Sequence, residues 1–121
     1  ILLGKNNSNN EVEYYSAGMV GPSIMPDKRF PAFRIYEYDV ETFKLIDYTQ
    51  YYSNLTRVIE NDKMVYEKHY SFKDSYRLSG LEVSDLKELY MGIKNNTLHD
   101  TYCNHYTPGF CSCQTDNILV I

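Results

Sequence analysis

The segment from Pro31 to Thr56 constrains the fold of this chain more than any other. Aromatic and β-branched residues crowd both sides of a short polar break, and runs of this kind form half-buried strands. The pattern predicts a strand over Phe33 to Tyr38, a connection over Asp39 to Thr42 and a return strand over Phe43 to Tyr52. We therefore expect a β-hairpin over residues 33–52.

An amphipathic helix is predicted in the C-terminal half of the chain. Its apolar positions recur at the spacing of one helical face, at Leu86, Leu89, Tyr90 and Ile93. Ser84 is the expected N-cap, Asp85 falls in the first turn, and Asn95 is expected to end the helix. Residues 64–72 are ambiguous between strand and helix, and residues 98–106 suggest a last short helix.

Length and charge limit the possible classes of protein. The 121 residues suffice for one domain with a modest core. The net charge is −4, with acidic and basic residues interspersed, so a nucleic acid polymer is not an expected partner. No apolar run approaches the roughly 20 residues of a transmembrane helix. The chain begins at Ile1 without a Met, and we expect that processing or truncation has removed a preceding part.

Three sequons point to an extracytoplasmic protein. Asn6, Asn54 and Asn95 each begin an Asn-x-Ser/Thr sequence, the acceptor pattern for N-glycans. We therefore expect the protein to be secreted or to reside in a lysosomal or vacuolar lumen.

The cysteines support the same compartment. Cys103, Cys111 and Cys113 lie close together near the C-terminus, as disulfide-forming cysteines of secreted proteins often do. Cys103 is expected to pair with Cys111 or with Cys113. The third cysteine then either stays a free thiol or pairs with a cysteine in the part that is missing here. A zinc site formed by these cysteines and His105 is the alternative, although its ligand spacings are cramped.

The hairpin resembles one segment of the acid-sphingomyelinase-like phosphodiesterases, within the calcineurin-like metallophosphoesterases. In that family a proline-containing loop leads into a strand with a Tyr-x-x-Asp-like turn, and the next strand continues into Tyr-Tyr-x-Asn-Leu-Thr. The resemblance covers roughly Glu13 to Ile93. It is carried by Tyr36 to Asp39, Lys44 to Asp47, Tyr51 to Thr56, Met64 to Glu67, Ser75 to Leu78 and Leu81 to Leu86.

The resemblance implies an α/β fold. The chain would be the C-terminal part of a layered, calcineurin-like metallophosphoesterase β-sandwich, with an edge hairpin and a small C-terminal helical subdomain. Residues 1–56 would end the catalytic domain and include a loop at the rim of the active site, residues 21–31. Residues 57–121 would form the helical, cysteine-containing subdomain.

The resemblance also implies a hydrolase. The parent protein would cleave phosphodiester or phosphoanhydride bonds with hydroxide activated by two divalent metal ions, expected to be zinc. None of the family's metal-binding signatures occurs here, so catalytic and metal-binding residues are expected upstream of Ile1. The expected partners are that upstream part, either covalently joined or as a separate nicked chain, and a small phosphodiester substrate. A sphingomyelin-like lipid, a nucleotide and polyphosphate all remain open as substrates.

Site residues of this chain follow from the same resemblance. The rim of the substrate pocket is expected at Ser23, Met25, Asp27, Lys28 and Arg29. A solvated loop without ligand contacts is the alternative for this segment. Arg34, in the middle of a strand, resembles an arginine common in the family and is expected to form a structural ion pair, with substrate contact as the alternative.

A second class of function also fits the composition. The chain has 13 tyrosines and no tryptophan, and tyrosine suits both half-buried strands and binding surfaces. A secreted, tyrosine-rich, disulfide-stapled binding module without catalysis is therefore the alternative to the hydrolase.

Overall fold

The structure is a computed structural model that describes residues 1–25 and 29–106. Its elements, in chain order, are β1 (Leu2–Asn6), β2 (Val12–Ala17), β3 (Ala32–Tyr38), β4 (Leu45–Tyr52), α1 (Leu55–Asn61), β5 (Glu67–Ser71), α2 (Phe72–Tyr76), α3 (Val83–Lys94) and α4 (His99–Tyr106). None of the helices in these residues has the length and apolar character that crossing a membrane requires.

The predicted hairpin is confirmed. β3 and β4 are antiparallel, and their register places Arg34 opposite Gln50 and Tyr36 opposite Tyr48. Because side chains alternate across a strand, these residues share one face of the sheet. That face carries the polar residues that organise the interior.

The hairpin turn differs from the prediction at Phe43. The Asp39 carboxylate accepts hydrogen bonds from the N–H groups of Glu41 at 2.9 Å and Thr42 at 2.7 Å. These bonds, with that of Thr42 foremost, hold the pKa of Asp39 below its ordinary value. Phe43 adopts a left-handed backbone conformation with φ of 56°, so the return strand begins at Leu45.

The ambiguous segment 64–72 contains a strand. β5 pairs antiparallel with β4, with Gln50 opposite Tyr70, and completes a three-stranded sheet in the order β3-β4-β5. Between β4 and β5 lies α1, for which the sequence gave no prediction. Asn54 begins it, and its side-chain oxygen accepts from the Thr56 N–H at 3.0 Å.

The predicted helix is confirmed as α3, but Ser84 is not its N-cap. The helix begins after Glu82, and Ser84 lies within the first turn. Asp85 explains the earlier start, because its carboxylate accepts from the Glu82 N–H at 3.0 Å and from the Ser79 hydroxyl at 2.8 Å. Asn95 ends the helix as expected, and the last short helix is α4.

The hydrophobic core lies between the sheet and the helices. α3 packs against β1 and β2, α2 packs against β4 and β5, and α4 packs against α3. One cluster contains the buried residues Tyr48, Tyr70, Phe72, Tyr76, Leu78, Leu81, Leu89 and Ile93. It draws on residues from both sides of position 56. The boundary at that position and the larger β-sandwich stay predictions.

Candidate functional site: a cavity beside Arg34

A cavity of about 140 Å³ lies among the β1–β2 hairpin, the three-stranded sheet and helices α3 and α4. Its aliphatic lining includes Leu2, Met19, Leu86, Leu89 and Ile93. Its polar and aromatic lining includes Arg34, Tyr48, Tyr70, Tyr76, Tyr102 and His105. The cavity therefore combines an apolar surface with a cation and several phenolic hydroxyls.

Arg34 supplies the positive charge of the cavity. Its Nε donates to Gln50 Oε1 at 2.9 Å, and its Nη1 donates to the Val20 carbonyl oxygen at 3.1 Å. The guanidinium carbon lies 4.4 Å from the centre of the Tyr48 ring, within the range of a cation–π contact. Burial is the largest single influence and lowers the pKa of Arg34, but Tyr48, Tyr70 and Tyr36 together outweigh it, so the net direction is upward.

The ion pair expected for Arg34 does not form within residues 1–25 and 29–106. The ion pairs of these residues are Lys44–Glu82, Arg57–Glu67 and His99–Asp100. Neutral oxygens and an aromatic ring surround the guanidinium in place of a carboxylate. A half-buried cation thus borders the cavity without an anionic partner among the described residues.

Gln50 joins the sheet to the last helix. Its side chain is fully buried, with 0% exposure. Its Oε1 accepts from Arg34, and its Nε2 donates to the His105 carbonyl oxygen at 3.0 Å and lies 3.3 Å from His69 Nδ1. Both ends of the buried amide therefore have partners, which avoids the cost of an unsatisfied polar group.

Three tyrosines extend this network along the cavity. The hydroxyls of Tyr48 and Tyr70 are 3.0 Å apart, and the Tyr76 hydroxyl lies 2.9 Å from His105 Nδ1. Burial raises the pKa of all three phenols, so they stay protonated at neutral pH. A protonated phenol has one O–H donor, and in this network the hydroxyls already bond one another and His105.

His105 is the aromatic partner of Tyr70. Their rings stack with centroids 3.7 Å apart and an angle of 6° between planes. Burial, with smaller contributions from His69 and Arg34, lowers the pKa of His105 to about 4. Burial also lowers the pKa of His69. Both imidazoles are therefore neutral at pH 7, and the arrangement as a whole suits an anionic oxygen group.

The described residues of the predicted rim loop, 21–25 and 29–31, lie beside this cavity rather than along its wall. The Ser23 hydroxyl bonds the Met25 backbone at 3.1 Å, and the Ser23 carbonyl accepts from the Ala32 N–H at 2.9 Å. The Met25 side chain is 77% exposed. The Arg29 guanidinium lies 4.9 Å from the centre of the Tyr106 ring, which lines the cavity. Contact of this loop with a substrate stays a prediction.

Asp27 and Lys28, the other two predicted rim residues, lie outside the described residues. The same holds for Cys111 and Cys113. Cys103, on α4, is disulfide-bonded, and its sulfur lies 3.7 Å from His99 Nε2. A disulfide-bonded Cys103 offers no thiolate to zinc, which argues against the alternative zinc site. Which cysteine pairs with it stays open between the two predicted pairings.

The three sequon asparagines occupy different local structures. Asn6 is exposed at the end of β1, and Asn95 is exposed at the end of α3. Asn54 caps α1 through its side-chain oxygen, whereas an N-glycan is attached through the side-chain nitrogen. Capping and glycosylation at Asn54 are therefore compatible, and glycosylation of all three stays a prediction.

No group of three or more His, Cys, Asp or Glu side chains within residues 1–25 and 29–106 is arranged to hold a metal ion. The two metal ions expected for the parent protein were assigned to residues outside this chain, and that assignment stays a prediction.

Comparison with known proteins identifies the family. The family model described as "Acid sphingomyelin phosphodiesterase C-terminal region" matches residues 17–118. The chain belongs to this family. The resemblance inferred from the hairpin and the motifs after it is thereby confirmed.

Three curated relatives carry similar segments. Sphingomyelin phosphodiesterase 1 of Caenorhabditis elegans is 38% identical over 68 residues, which are 54% of this chain and 12% of the relative. Sphingomyelin phosphodiesterase A of Dictyostelium discoideum is 29% identical over 73 residues, or 60% of this chain and 12% of the relative. Sphingomyelinase phosphodiesterase C of the same organism is 27% identical over 100 residues, which are 76% of this chain and 22% of the relative. The matched segments thus span less than a quarter of each relative.

Sequence reasoning singled out Arg34 but not the residues around it. Gln50, Tyr70 and His105 meet only through pairing of β4 with β5 and packing of the last helix. A polar Gln at a core-facing position of a strand was the available signal, because a buried amide requires partners.

Proposed function

We propose that this chain is the C-terminal segment of a secreted or lysosomal, metal-dependent phosphodiesterase. The match of residues 17–118 to the acid sphingomyelin phosphodiesterase C-terminal region carries the proposal. The relatives' names make a sphingomyelin-like lipid the first substrate to test, with nucleotides second. The disulfide at Cys103 and the three sequons support the compartment, since disulfides persist in oxidising environments.

The chemistry would come from the upstream part of the polypeptide. Two divalent metal ions, expected to be zinc, would generate hydroxide at neutral pH and bind the oxygens on both sides of the reacting phosphorus. This chain would contribute the loop at residues 21–31, where Lys28 and Arg29 are suited to contact an anionic phosphate. It would also contribute the sheet that supports that loop.

Expression of the full-length polypeptide in a secretory host tests the proposal. The full-length protein should hydrolyse sphingomyelin, and removal of metal by a chelator should abolish the activity until zinc is restored. The 121-residue chain alone should be inactive. Absence of activity on lipid, nucleotide and polyphosphate substrates by a folded, zinc-loaded full-length protein would refute the hydrolase and favour a binding module.

A pair of variants tests the role of the rim loop. Lys28→Ala in the full-length protein should raise KM several-fold, because the lysine charge would be lost near the substrate phosphate. Lys63→Ala is the matched control, since Lys63 is exposed beyond the end of α1. Equal KM values for the two variants would place the rim loop outside the substrate pocket.

A further inference from the structure

We propose that the cavity beside Arg34 binds a carboxylate supplied by the upstream part of the same polypeptide. The proposal rests on the proposed function in one respect, because it requires that such an upstream part exists. It adds the chemical group by which that part and this chain recognise each other.

The guanidinium has unused hydrogen-bonding capacity. An arginine carries five N–H donors, and described residues accept from Nε and Nη1. Tyr36 and Tyr70 also bond the side chain of Arg34. These four partners leave one of the five donors for a further acceptor, and a charge-assisted hydrogen bond from that donor to a carboxylate oxygen is stronger than a bond to a neutral group.

The surroundings of the guanidinium favour an anion over a neutral group. The cation is partly removed from water, and a charge in such a place is stabilised by an opposite charge with hydrogen bonds. The neighbouring Tyr48 and Tyr70 are neutral phenols, and the nearby His105 is neutral at pH 7. A carboxylate would therefore meet the Arg34 guanidinium and no negative charge among the described neighbours, and in the 121-residue protein the Ile1 ammonium also lines the cavity.

The size of the cavity suits a side chain. Its volume of about 140 Å³ is close to that of an engineered protein cavity of about 150 Å³ that binds benzene. A group of about six non-hydrogen atoms therefore fits, which covers an Asp or Glu side chain with part of its backbone. The aliphatic lining at Leu86, Leu89 and Ile93 would contact its methylene groups.

The length of the relatives favours an intramolecular source over a free metabolite. The matched segments cover 12% to 22% of those proteins, so most of their polypeptide lies outside the part equivalent to this chain. A tethered carboxylate binds at a high effective concentration, so a weak contact with Arg34 suffices for stable docking. A free small anion is the competing occupant.

A pair of isosteric probes tests the proposal on the 121-residue protein with its N-terminus acetylated, because the Ile1 ammonium would otherwise add a second positive charge to the cavity. Butyrate and butyramide have about six non-hydrogen atoms each and differ in charge, and NMR titration reports their binding to the cavity. We expect butyrate to bind with a Kd on the order of 1–10 mM and butyramide at least tenfold more weakly. Equal binding of both probes, or no binding of butyrate, would overturn the proposal.

Variants assign the preference to Arg34. Arg34→Gln should weaken butyrate binding at least tenfold. Arg34→Lys keeps the charge but lacks the planar guanidinium, so its butyrate affinity should lie between those of the unsubstituted protein and Arg34→Gln. Arg57→Gln is the control, since Arg57 already bonds the Glu67 carboxylate at 3.1 and 3.2 Å. If Arg34→Gln fails to fold, the butyrate affinity of Arg34→Lys is compared with that of the unsubstituted protein instead. Butyrate affinity that is unchanged in Arg34→Lys and Arg34→Gln would refute the assignment.

The full-length protein distinguishes the two occupants. If an upstream carboxylate fills the cavity, butyrate should not bind the full-length protein, and Arg34→Gln should make the upstream part more susceptible to limited proteolysis than Arg57→Gln does. Butyrate binding of equal strength to the full-length protein would identify a small-anion site instead and overturn the proposal. None of these readouts uses phosphodiesterase activity, so the proposed function can fail or succeed separately.

Discussion

The turn at Phe43 predicts an unusual order of stability between two substitutions. Phe43 has φ of 56°, a left-handed conformation that costs a residue with a Cβ about 1–2 kcal/mol. Glycine adopts this conformation without that cost, whereas alanine does not. We therefore expect Phe43→Gly to be more stable than Phe43→Ala, the reverse of the order in regular strands and helices.

The magnitude follows from two opposing terms. Glycine would remove about 1.5 kcal/mol of left-handed strain, but its extra freedom in the unfolded chain costs about 0.5–1 kcal/mol. The free energy of unfolding of the Gly variant should thus exceed that of the Ala variant by about 1 kcal/mol. Packing matters little to the comparison, because the Phe43 side chain is 77% exposed and both variants lose it.

Urea unfolding followed by far-ultraviolet circular dichroism measures this difference. A difference of about 1 kcal/mol corresponds to about half a molar in the urea midpoint. Val40→Gly and Val40→Ala form the control pair, since Val40 is equally exposed on the same turn but has no positive φ. At position 40 the Ala variant should be the more stable. If Ala were also the more stable at position 43, the strain argument would be wrong.

Substitutions at three further positions probe the cap and the buried network. Asn54→Ala should cost about 1 kcal/mol of stability by loss of the α1 cap, whereas Asn54→Ser should keep the cap and lose only the sequon. Urea unfolding measures the stability, and mass spectrometry measures the loss of the glycan. Equal stabilities of the two variants would contradict the cap. Gln50→Leu should cost about 2 kcal/mol, since it removes the acceptor of Arg34 Nε and the side-chain donor to the buried His105 carbonyl; a loss below about 0.5 kcal/mol would contradict that role. Stability should be fully retained above pH 6.5 and should fall as the pH drops toward about 4, because the folded state disfavours protonation of His105. The full pKa difference corresponds to about 3 kcal/mol, which solvent screening of this half-exposed ring reduces to about 1.5 kcal/mol. His105→Phe should lose that part of the pH dependence, and an unchanged pH profile would refute the assignment.

The hairpin and the α3 helix could be predicted because their signals are local. Alternation around Ile35 identified a strand, and the stripe ending at Ile93 identified a helical face. The prediction that Ser84 caps α3 was wrong because the Asp85 side chain bonds the backbone N–H of Glu82, three residues earlier. This bond starts the helix before Ser84 and outweighs the usual preference for serine as the cap. α1 was missed because it contributes no fully buried residue and so leaves no strong apolar periodicity.

The site was harder to predict than the fold because its members are distant in sequence. Gln50 reaches the His105 carbonyl across 55 residues, and periodicity within a window cannot report such a contact. The charge of Arg34 was noticed, but the expected counter-ion is absent from its described surroundings. The family itself could be identified from motifs, since the order of several short motifs along the chain survives where single side-chain contacts cannot be inferred.

The same long-range hydrogen bond has a consequence for the order of folding. The strands pair with their neighbours in sequence, β1 with β2, β3 with β4 and β4 with β5, so the sheets form with little loop-closure entropy. The contact between Gln50 and the end of α4 closes a much longer loop and should form after the rate-limiting step. Mutations at this contact should therefore accelerate unfolding while leaving the refolding rate nearly unchanged. The last helix would thus determine how long the folded protein persists rather than how fast it forms.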